Sequence, residues 1–117
     1  MNAPIPAPTP GSLREVELDD KYTAESGTVM ISGTQALVRL PLLQREFDRR
    51  AGLNTAGYIS GYRGSPIGGY DQELWRAKKH LNAQAIHFQP GLNEDLAATA
   101  IWGAQTLQHI PDATVDG

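Results

Sequence analysis

The chain contains no cysteine among its 117 residues. Without thiolates, these residues can form no disulfide framework, no cysteine-ligated zinc site and no cysteine-ligated iron–sulfur cluster. The net charge is -3, and the few lysines and arginines are scattered among acidic residues. Because no basic patch forms along the sequence, nothing indicates a nucleic-acid partner.

Long hydrophobic runs are also missing from the sequence. No apolar stretch approaches the roughly 20 residues that a membrane-spanning helix needs. The N-terminus lacks the charged segment and apolar core of a secretory signal, so we expect a cytoplasmic protein that makes no membrane contact. A chain of 117 residues suffices for one modest domain with a single core.

Proline is concentrated near the N-terminus, where Pro4, Pro6, Pro8 and Pro10 alternate with other residues. Proline fixes φ, lacks an N–H group and disfavours helix in the residue before it. The sequence therefore predicts a disordered leader over residues 1–17 and a folded domain over residues 18–117.

Short apolar runs alternate with helical patterns through residues 18–117. The runs predict strands at 28–31, 56–60 and 85–88, and the beginning of a fourth strand at 113–115. Helices are predicted between them, over residues 34–51, 70–81 and 93–108. Thr34 is the expected N-cap of the first helix, Asn93 is the expected N-cap of the last, and Pro41 should kink or divide the first.

This alternation predicts an α/β fold, with a parallel sheet, flanking helices and right-handed crossovers. Ligands of such sheets bind beyond the carboxyl ends of the strands. The glycine-rich loop 61–68 and the loop 89–94 each follow a predicted strand, so we expect them to form one site. Because the sequence stops as the fourth strand begins, the domain is expected to be truncated at its C-terminal end.

The glycine-rich loop does not match the common glycine motifs. It lacks both the G-x-G-x-x-G dinucleotide pattern and the G-K-[ST] end of a P-loop. Ser65 is not in a G-x-S-x-G nucleophile elbow. Arg63 stands where that motif has its first glycine, and Pro66 follows the serine. Two interpretations stay open: a loop that needs several turns, or a loop whose Ser65 hydroxyl and backbone N–H groups meet an anionic or polar ligand.

Glu94 is the most notable acidic residue. Acids in the first turn of a helix are common because they complement the helix dipole, and the neighbouring Asp95 fits that role. The following helix is rich in small residues that allow close packing against another helix or subunit: Ala97, Ala98, Ala100, Gly103 and Ala104. Burial at such an interface would disfavour a charged Glu94, whereas the helix N-terminus would favour it, and the sequence leaves that balance open.

Three segments, taken in order, resemble the start of the 2-oxoacid:ferredoxin oxidoreductases, and most of all the long fused bacterial indolepyruvate ferredoxin oxidoreductases. They read Gly-Thr-Gln-Ala (33–36), Gly-Tyr-Arg-Gly-Ser-Pro (61–66) and Leu-Asn-Glu-Asp-Leu-Ala-Ala-Thr-Ala-Ile-Trp-Gly-Ala-Gln (92–105). The similarity runs from about Leu18 to Gly117. Since that family depends on thiamine diphosphate, the resemblance implies that residues 18–117 are the N-terminal part of its pyrimidine-binding domain.

The resemblance also implies a role for Glu94. In the family, the matching acid hydrogen-bonds the aminopyrimidine ring nitrogen of thiamine, which makes Glu94 the implied catalytic and cofactor-binding residue. Sharing a proton with that nitrogen favours the imino tautomer of the aminopyrimidine, which then removes the thiazolium C2 proton. A glutamine at this position could not titrate.

The family's Tyr-Pro-x-[ST]-Pro loop aligns with residues 62–66. By this match Gly64, Ser65 and Pro66 are implied to contact the cofactor, and Tyr62, Arg63 and Ser65 the substrate. Arg63 departs from the family pattern because it replaces the first proline. It either adds a cation for the carboxylate of a 2-oxoacid or is merely a surface charge.

The complete family enzyme would oxidatively decarboxylate an indolepyruvate-like 2-oxoacid to the acyl-CoA and reduce ferredoxin. Its Mg²⁺-bound diphosphate half, with a Gly-Asp-Gly signature, and its iron–sulfur clusters would come from regions absent here. His87 and His109 have no metal-ligand partner at helical spacing, so no metal site is predicted. The implied partners are the rest of the enzyme or a second subunit, ferredoxin, CoA and further copies in a homo-oligomer.

Two other interpretations of the sequence stay open. The chain could be a small α/β module that binds a nucleotide or phosphate without catalysis, or a non-functional truncated remnant. Under the thiamine-enzyme interpretation, the 117 residues contribute half of a cofactor site and are inactive alone.

Overall fold

The computed structural model of the protein describes residues 15–64 and 67–117. Most of the leader predicted for residues 1–17 therefore lies outside the described residues, and residues 15–17 have no regular secondary structure. The helices are α1 (Asp20–Thr23), α2 (Gly33–Arg50), α3 (Tyr70–Arg76), α4 (Lys78–Ala83) and α5 (Glu94–Ala104), and the strands are β1 (Gly57–Ile59) and β2 (Ile86–Phe88). A 3₁₀ turn, Leu107–His109, follows α5. None of the helices in the described ranges is long and apolar enough to cross a membrane.

The sheet consists of β1 and β2, which run parallel with Gly57 opposite Ile86 and Ile59 opposite Phe88. The α/β prediction is thus confirmed at the level of helices around a small parallel sheet. The prediction of a wider sheet is wrong for the described residues, because neither 28–31 nor 113–115 forms a strand. Residues 28–31 lead into the N-cap of α2. The Met30 side chain is 98% exposed, so this run does not pack against the sheet.

The predicted fourth strand nevertheless lies beside residues 54–56, which lead into β1. The Asp116 N–H donates to the Asn54 carbonyl oxygen at 2.9 Å, and the Ala56 N–H donates to the Gly117 carbonyl oxygen at 2.7 Å. Asn54 also donates its side-chain amide to the Thr114 carbonyl oxygen at 2.9 Å. These bonds hold the segment at the start of β1 without forming a regular ladder.

The N-cap of helix α2 is Ser32, two residues before the predicted Thr34. The Ser32 hydroxyl accepts from the Gln35 N–H at 3.2 Å, and the Gln35 side chain accepts from the Ser32 N–H at 3.0 Å, which is a capping box. The helix continues as one element through Pro41, so the expectation of two short helices is wrong. Val38 and Leu42, both buried, anchor it on either side of the proline.

Two other helix boundaries differ from the predictions. The helix expected over 70–81 is divided at Ala77, whose small, fully buried side chain lets the junction of α3 and α4 lie against the core. Helix α5 ends at Ala104 rather than near Gln108. Both the N–H and the hydroxyl of Thr106 donate to the Gly103 carbonyl, and this competition with helical bonding explains the early end.

The core lies on one face of the sheet, between β2 and helices α2, α3 and α4. Its buried side chains are Val38, Leu42, Leu74, Ala77, Leu81, Ile86 and Phe88. On the other face His87 is exposed, and its ring stacks on Tyr58 with centroids 5.7 Å apart. Helix α5 buries only Ala97.

Helix α1 is held against the core by polar contacts. The Arg39 guanidinium donates to the carbonyl oxygens of Lys21 at 2.6 Å and Ala24 at 2.5 Å. The Tyr22 hydroxyl donates to the Glu73 carboxylate at 3.2 Å. Burial and the negative charge of Glu73 raise the pKa of Tyr22 to about 12.

Candidate functional site

The loops that follow β1 and β2 meet at the carboxyl edge of the sheet. Because the strands are parallel, both loops leave from the same edge. The Gln89 N–H donates to the Ile59 carbonyl oxygen at 2.9 Å, and the Gly91 N–H donates to the Gly61 carbonyl oxygen at 2.9 Å. Tyr62 and Gly91 form an isolated parallel bridge beyond the strands. The predicted juxtaposition of the two loops is confirmed.

Gly91 also fixes the position of α5. A Cβ atom at Gly91 would lie 2.7 Å from the Ala97 Cβ and 3.1 Å from the Asn93 carbonyl oxygen, which is closer than real side chains approach. Asn93 is the N-cap of α5, as predicted, and its side-chain oxygen accepts from the Leu96 N–H at 2.9 Å. The first turn of α5, which carries Glu94, is therefore held close to residues 61–62.

Glu94 and its neighbour Asp95 are both exposed in the isolated chain. The burial that we expected for Glu94 is therefore not supplied by the described residues. Large apolar side chains along α5 and just before it are also exposed: Leu92 by 85%, Leu96 by 52% and Trp102 by 73%. Glu94 is thus exposed in the first turn of a helix that carries several exposed apolar side chains, and the described residues do not bury it.

The glycine-rich turn, residues 61–64 of the glycine-rich loop, contains three of the residues implied for the site. Gly64 has φ of +100°, a conformation that L side chains rarely adopt, so glycine is required there. The Arg63 Nε lies 3.3 Å from the Asp71 Oδ2, while the Arg63 side chain is 78% exposed. Tyr62 precedes it and is partly exposed. Ser65 and Pro66, the other two implied residues, lie outside the described residues.

A cavity of about 210 Å³ opens beside this turn. Its wall is shared by Ile59, Tyr62, Gly64, Ile67, Tyr70, Asp71, Leu74 and Phe88, among others. Three of these residues, Ile67, Tyr70 and Asp71, were not among the predicted site residues. The position of Asp71 in the first turn of the helix after the glycine-rich loop was the available signal.

Thiamine diphosphate would need an acid for its aminopyrimidine ring and a metal site for its diphosphate. Glu94 is an acid of the right type, but it is exposed and does not line the cavity beside the glycine-rich turn. The diphosphate side has no corresponding residues in the described ranges. No group of three or more His, Asp or Glu side chains in residues 15–64 and 67–117 is arranged to hold a metal ion.

No protein-family model, curated protein or solved structure matches this chain. Its membership of the 2-oxoacid:ferredoxin oxidoreductases stays a prediction from the three sequence segments. In the structure, two of those segments begin close together. The hydrogen bond from Gly91 to Gly61 joins the start of 61–66 to the residue directly before 92–105.

Proposed function

We propose that this chain contributes the aminopyrimidine half of a thiamine diphosphate site in an indolepyruvate-type 2-oxoacid:ferredoxin oxidoreductase. The observation that carries the proposal is the Gly91 to Gly61 hydrogen bond of 2.9 Å, which brings the first turn of α5 next to the 61–64 turn. Two of the three segments that resemble the family, one containing Gly61 and one beginning directly after Gly91, therefore start close together at the edge where α/β sheets bind ligands.

In this proposal Glu94 holds a proton against a ring nitrogen of the aminopyrimidine. When bound, thiamine diphosphate would supply the nucleophilic carbon and the electron sink for decarboxylation of a 2-oxoacid. Glu94 itself forms no covalent bond. Its part is to orient the heterocycle and to keep one proton shared, which requires a titratable side chain in a water-poor setting.

Exposed apolar side chains on α5 and just before it support a site completed by another protein surface. Leu92, Leu96 and Trp102 are 85%, 52% and 73% exposed, and a partner surface over α5 would remove them from water. A partner that also covers the first turn of α5 would desolvate Glu94 and strengthen its hydrogen bond to a ligand. The chain alone then has half a site and no activity.

Arg63 is the cation of the proposed site. Its side chain is largely exposed and is paired with Asp71 at 3.3 Å, which is weak enough for exchange with another carboxylate. A 2-oxoacid presents such a carboxylate. We therefore assign Tyr62 and Arg63 to the substrate side of the site and Glu94 and Gly64 to the cofactor side.

The test uses the assembled enzyme that contains this chain and compares Glu94→Gln with Asp95→Asn. Both changes remove one negative charge from exposed positions in the first turn of α5, so any effect on the helix dipole is matched. We expect Glu94→Gln to lower 2-oxoacid-dependent ferredoxin reduction by about 10²-fold or more, since a general acid–base group is lost. Asp95→Asn should keep most of the activity, and normal turnover in Glu94→Gln would refute the proposal.

A second measurement separates this proposal from a phosphate-binding module. The isolated chain is titrated with inorganic pyrophosphate and observed by isothermal calorimetry. Half of a thiamine site without its diphosphate domain should show no measurable heat of binding. Micromolar affinity that disappears when residues 61–68 are replaced would favour the module instead.

A further inference from the structure

A cavity of about 360 Å³ lies between α1, α2 and α4, and it shares no residue with the two loops of the proposed site. One side of α2 forms a wall of this cavity from Arg39 to Arg50, with Leu43 and Phe47 between them. The side chains of Leu43 and Phe47 are 39% and 59% exposed. We name this cavity the α2 groove, and its apolar wall is left partly uncovered by the described residues.

Several polar side chains of the α2 groove already have partners in the described chain. The Arg39 guanidinium is bonded to carbonyl oxygens at the C-terminal end of α1, and the Tyr22 hydroxyl is bonded to the Glu73 carboxylate. The Glu46 carboxylate accepts from the Arg50 Nε at 2.7 Å. Because these groups are already paired, the groove fits an occupant that brings few hydrogen-bonding groups of its own.

The formal charges along the α2 groove cancel. Arg39 and Arg50 line it together with Glu25 and Glu46, so cations and anions are present in equal number. A charged ligand would be attracted by one of these pairs and repelled by the other at close range. The groove therefore favours an occupant without charged side chains.

The N-terminal segment of this chain has the corresponding chemistry. Residues 1–13 carry no charged side chain, and proline stands at positions 4, 6, 8 and 10. Proline has no N–H group, so each of these positions lacks a donor that would need a partner. Proline also fixes φ, so a proline-rich segment loses little conformational entropy when it binds, and such segments bind in grooves with aromatic walls.

This segment is attached beside the α2 groove. Asp19 immediately precedes α1, and its Oδ2 lies 3.4 Å from the Nε2 of His80, a residue of the groove wall. The chain between Pro10 and Asp19 can extend over roughly 30 Å, whereas the wall from Arg39 to Arg50 is about 17 Å long. Tethering at this distance gives a local concentration of about millimolar order, so weak affinity is sufficient for binding.

We infer that residues 3–10 of this chain bind in the α2 groove, with Ile5 and the prolines against Leu43 and Phe47. A segment that is disordered when free can become ordered on a surface that it helps to bury. In this arrangement the N-terminal leader covers exposed apolar side chains and closes the cavity on its solvent side. The inference does not depend on the thiamine assignment, since the groove lies apart from the loops of the proposed site.

The test attaches a nitroxide to the leader of the full, isotope-labelled 117-residue chain. Since the chain contains no cysteine, Asn2→Cys gives one position for attachment. Paramagnetic broadening of the amide signals is measured by nuclear magnetic resonance against the same sample with the nitroxide reduced. We expect the signals of Leu43 and Phe47 to lose about half of their intensity or more, and the signal of Trp102 on α5 to keep its intensity.

A leader without proline is the first control. Pro4→Ser, Pro6→Ser, Pro8→Ser and Pro10→Ser are combined in the same nitroxide-bearing chain, which keeps its length and its uncharged leader. Broadening that remains in this variant measures the effect of tethering alone. The intensity lost at Phe47 with the proline leader should be at least about twice the loss with the serine leader.

Two substitutions in α2 are the second control. Phe47→Ser and Leu40→Ser each remove an exposed apolar side chain, at 59% and 62% exposure, but only Phe47 lines the groove. Phe47→Ser should reduce the broadening at Leu43 to the level of the serine leader, and Leu40→Ser should leave it unchanged. The comparison of the two leaders decides the question even where a substitution in α2 prevents folding.

Equal broadening with the proline and serine leaders would overturn the inference, as would broadening confined to residues 15–25 beside the attachment. A mixed sample tests for a leader supplied by a second copy: the nitroxide is placed on chains without isotope, and the isotope on chains without nitroxide. Broadening at Phe47 in this mixture as strong as in the original sample would assign the groove to a neighbouring copy and overturn the intramolecular arrangement.

Discussion

The backbone N–H of Gly91 donates to the carbonyl oxygen of Gly61 at 2.9 Å, which joins the loop after β1 to the loop before α5. This bond continues the parallel register of Gly57 with Ile86 and Ile59 with Phe88 beyond the strands themselves. The first turn of α5 therefore has a fixed position relative to the glycine-rich turn. The proposed site depends on that relationship more than on any single side chain.

Gly91→Ala should disturb this junction. The added Cβ would meet the Ala97 Cβ at 2.7 Å and backbone atoms at 3.1 and 3.2 Å, so α5 must move. Such overpacking should lower the free energy of unfolding by about 1–3 kcal/mol. Gly103→Ala is the control, because nothing lies within 4 Å of its Cβ position and it should stabilise α5 by about 0.5–1 kcal/mol. Equal urea midpoints for the two variants would contradict the close approach of α5 to Gly91.

Arg45→Met should not destabilise the chain. The Nε and Nη1 of Arg45 are buried and find no hydrogen-bond acceptor, since neighbouring Asp48 accepts from Thr55 and Gln44 at 2.7 Å each. Removing two unsatisfied buried N–H groups offsets the loss of the charge interaction with Asp48, so the replacement should change stability by less than about 1 kcal/mol. Arg49→Met, which removes a surface ion pair with Glu46, should change stability by less than about 1 kcal/mol. A loss above that for Arg45→Met in urea unfolding would show that its guanidinium has a partner.

Tyr22→Phe should flatten the alkaline side of the stability profile. The folded-state pKa of Tyr22 is raised from 10.0 to about 12, chiefly by burial, so the folded chain favours the neutral phenol. The stability linked to this group is complete below pH 10 and is lost as the pH rises toward 12. Urea unfolding at pH 9, 10.5 and 11.5 should therefore show a smaller decline for Tyr22→Phe than for the unaltered chain. Parallel declines would contradict the assigned pKa.

The sequence predicted those features that local patterns determine. The end of α2 at Gly52, the cap of α5 at Asn93 and the two strands around Tyr58 and His87 all appear close to their expected places. The meeting of the two loops followed from parallel topology, which requires only strand order. These features depend on backbone conformation and alternation, and both can be inferred from single segments.

The features that the sequence did not predict depend on tertiary partners. Residues 28–31 have strand propensity but no neighbouring strand, and strand propensity alone does not form a sheet. Pro41 was expected to kink or divide α2, yet α2 is one helix, with Val38 and Leu42 buried on either side of the proline. The cavity wall formed by Ile67 and Tyr70 could not be predicted, because it depends on how α3 lies across β1 and β2.

The most direct test of the central claim is the exchange of the thiamine C2 proton for deuterium, measured by acid quench and proton magnetic resonance in the assembled enzyme. We predict that Glu94→Gln slows this exchange by about 10²-fold or more, while Asp95→Asn leaves it within a few-fold of the unaltered enzyme. Thiamine diphosphate should still bind to both variants. Exchange at the unaltered rate in Glu94→Gln, with the cofactor bound, would contradict the account.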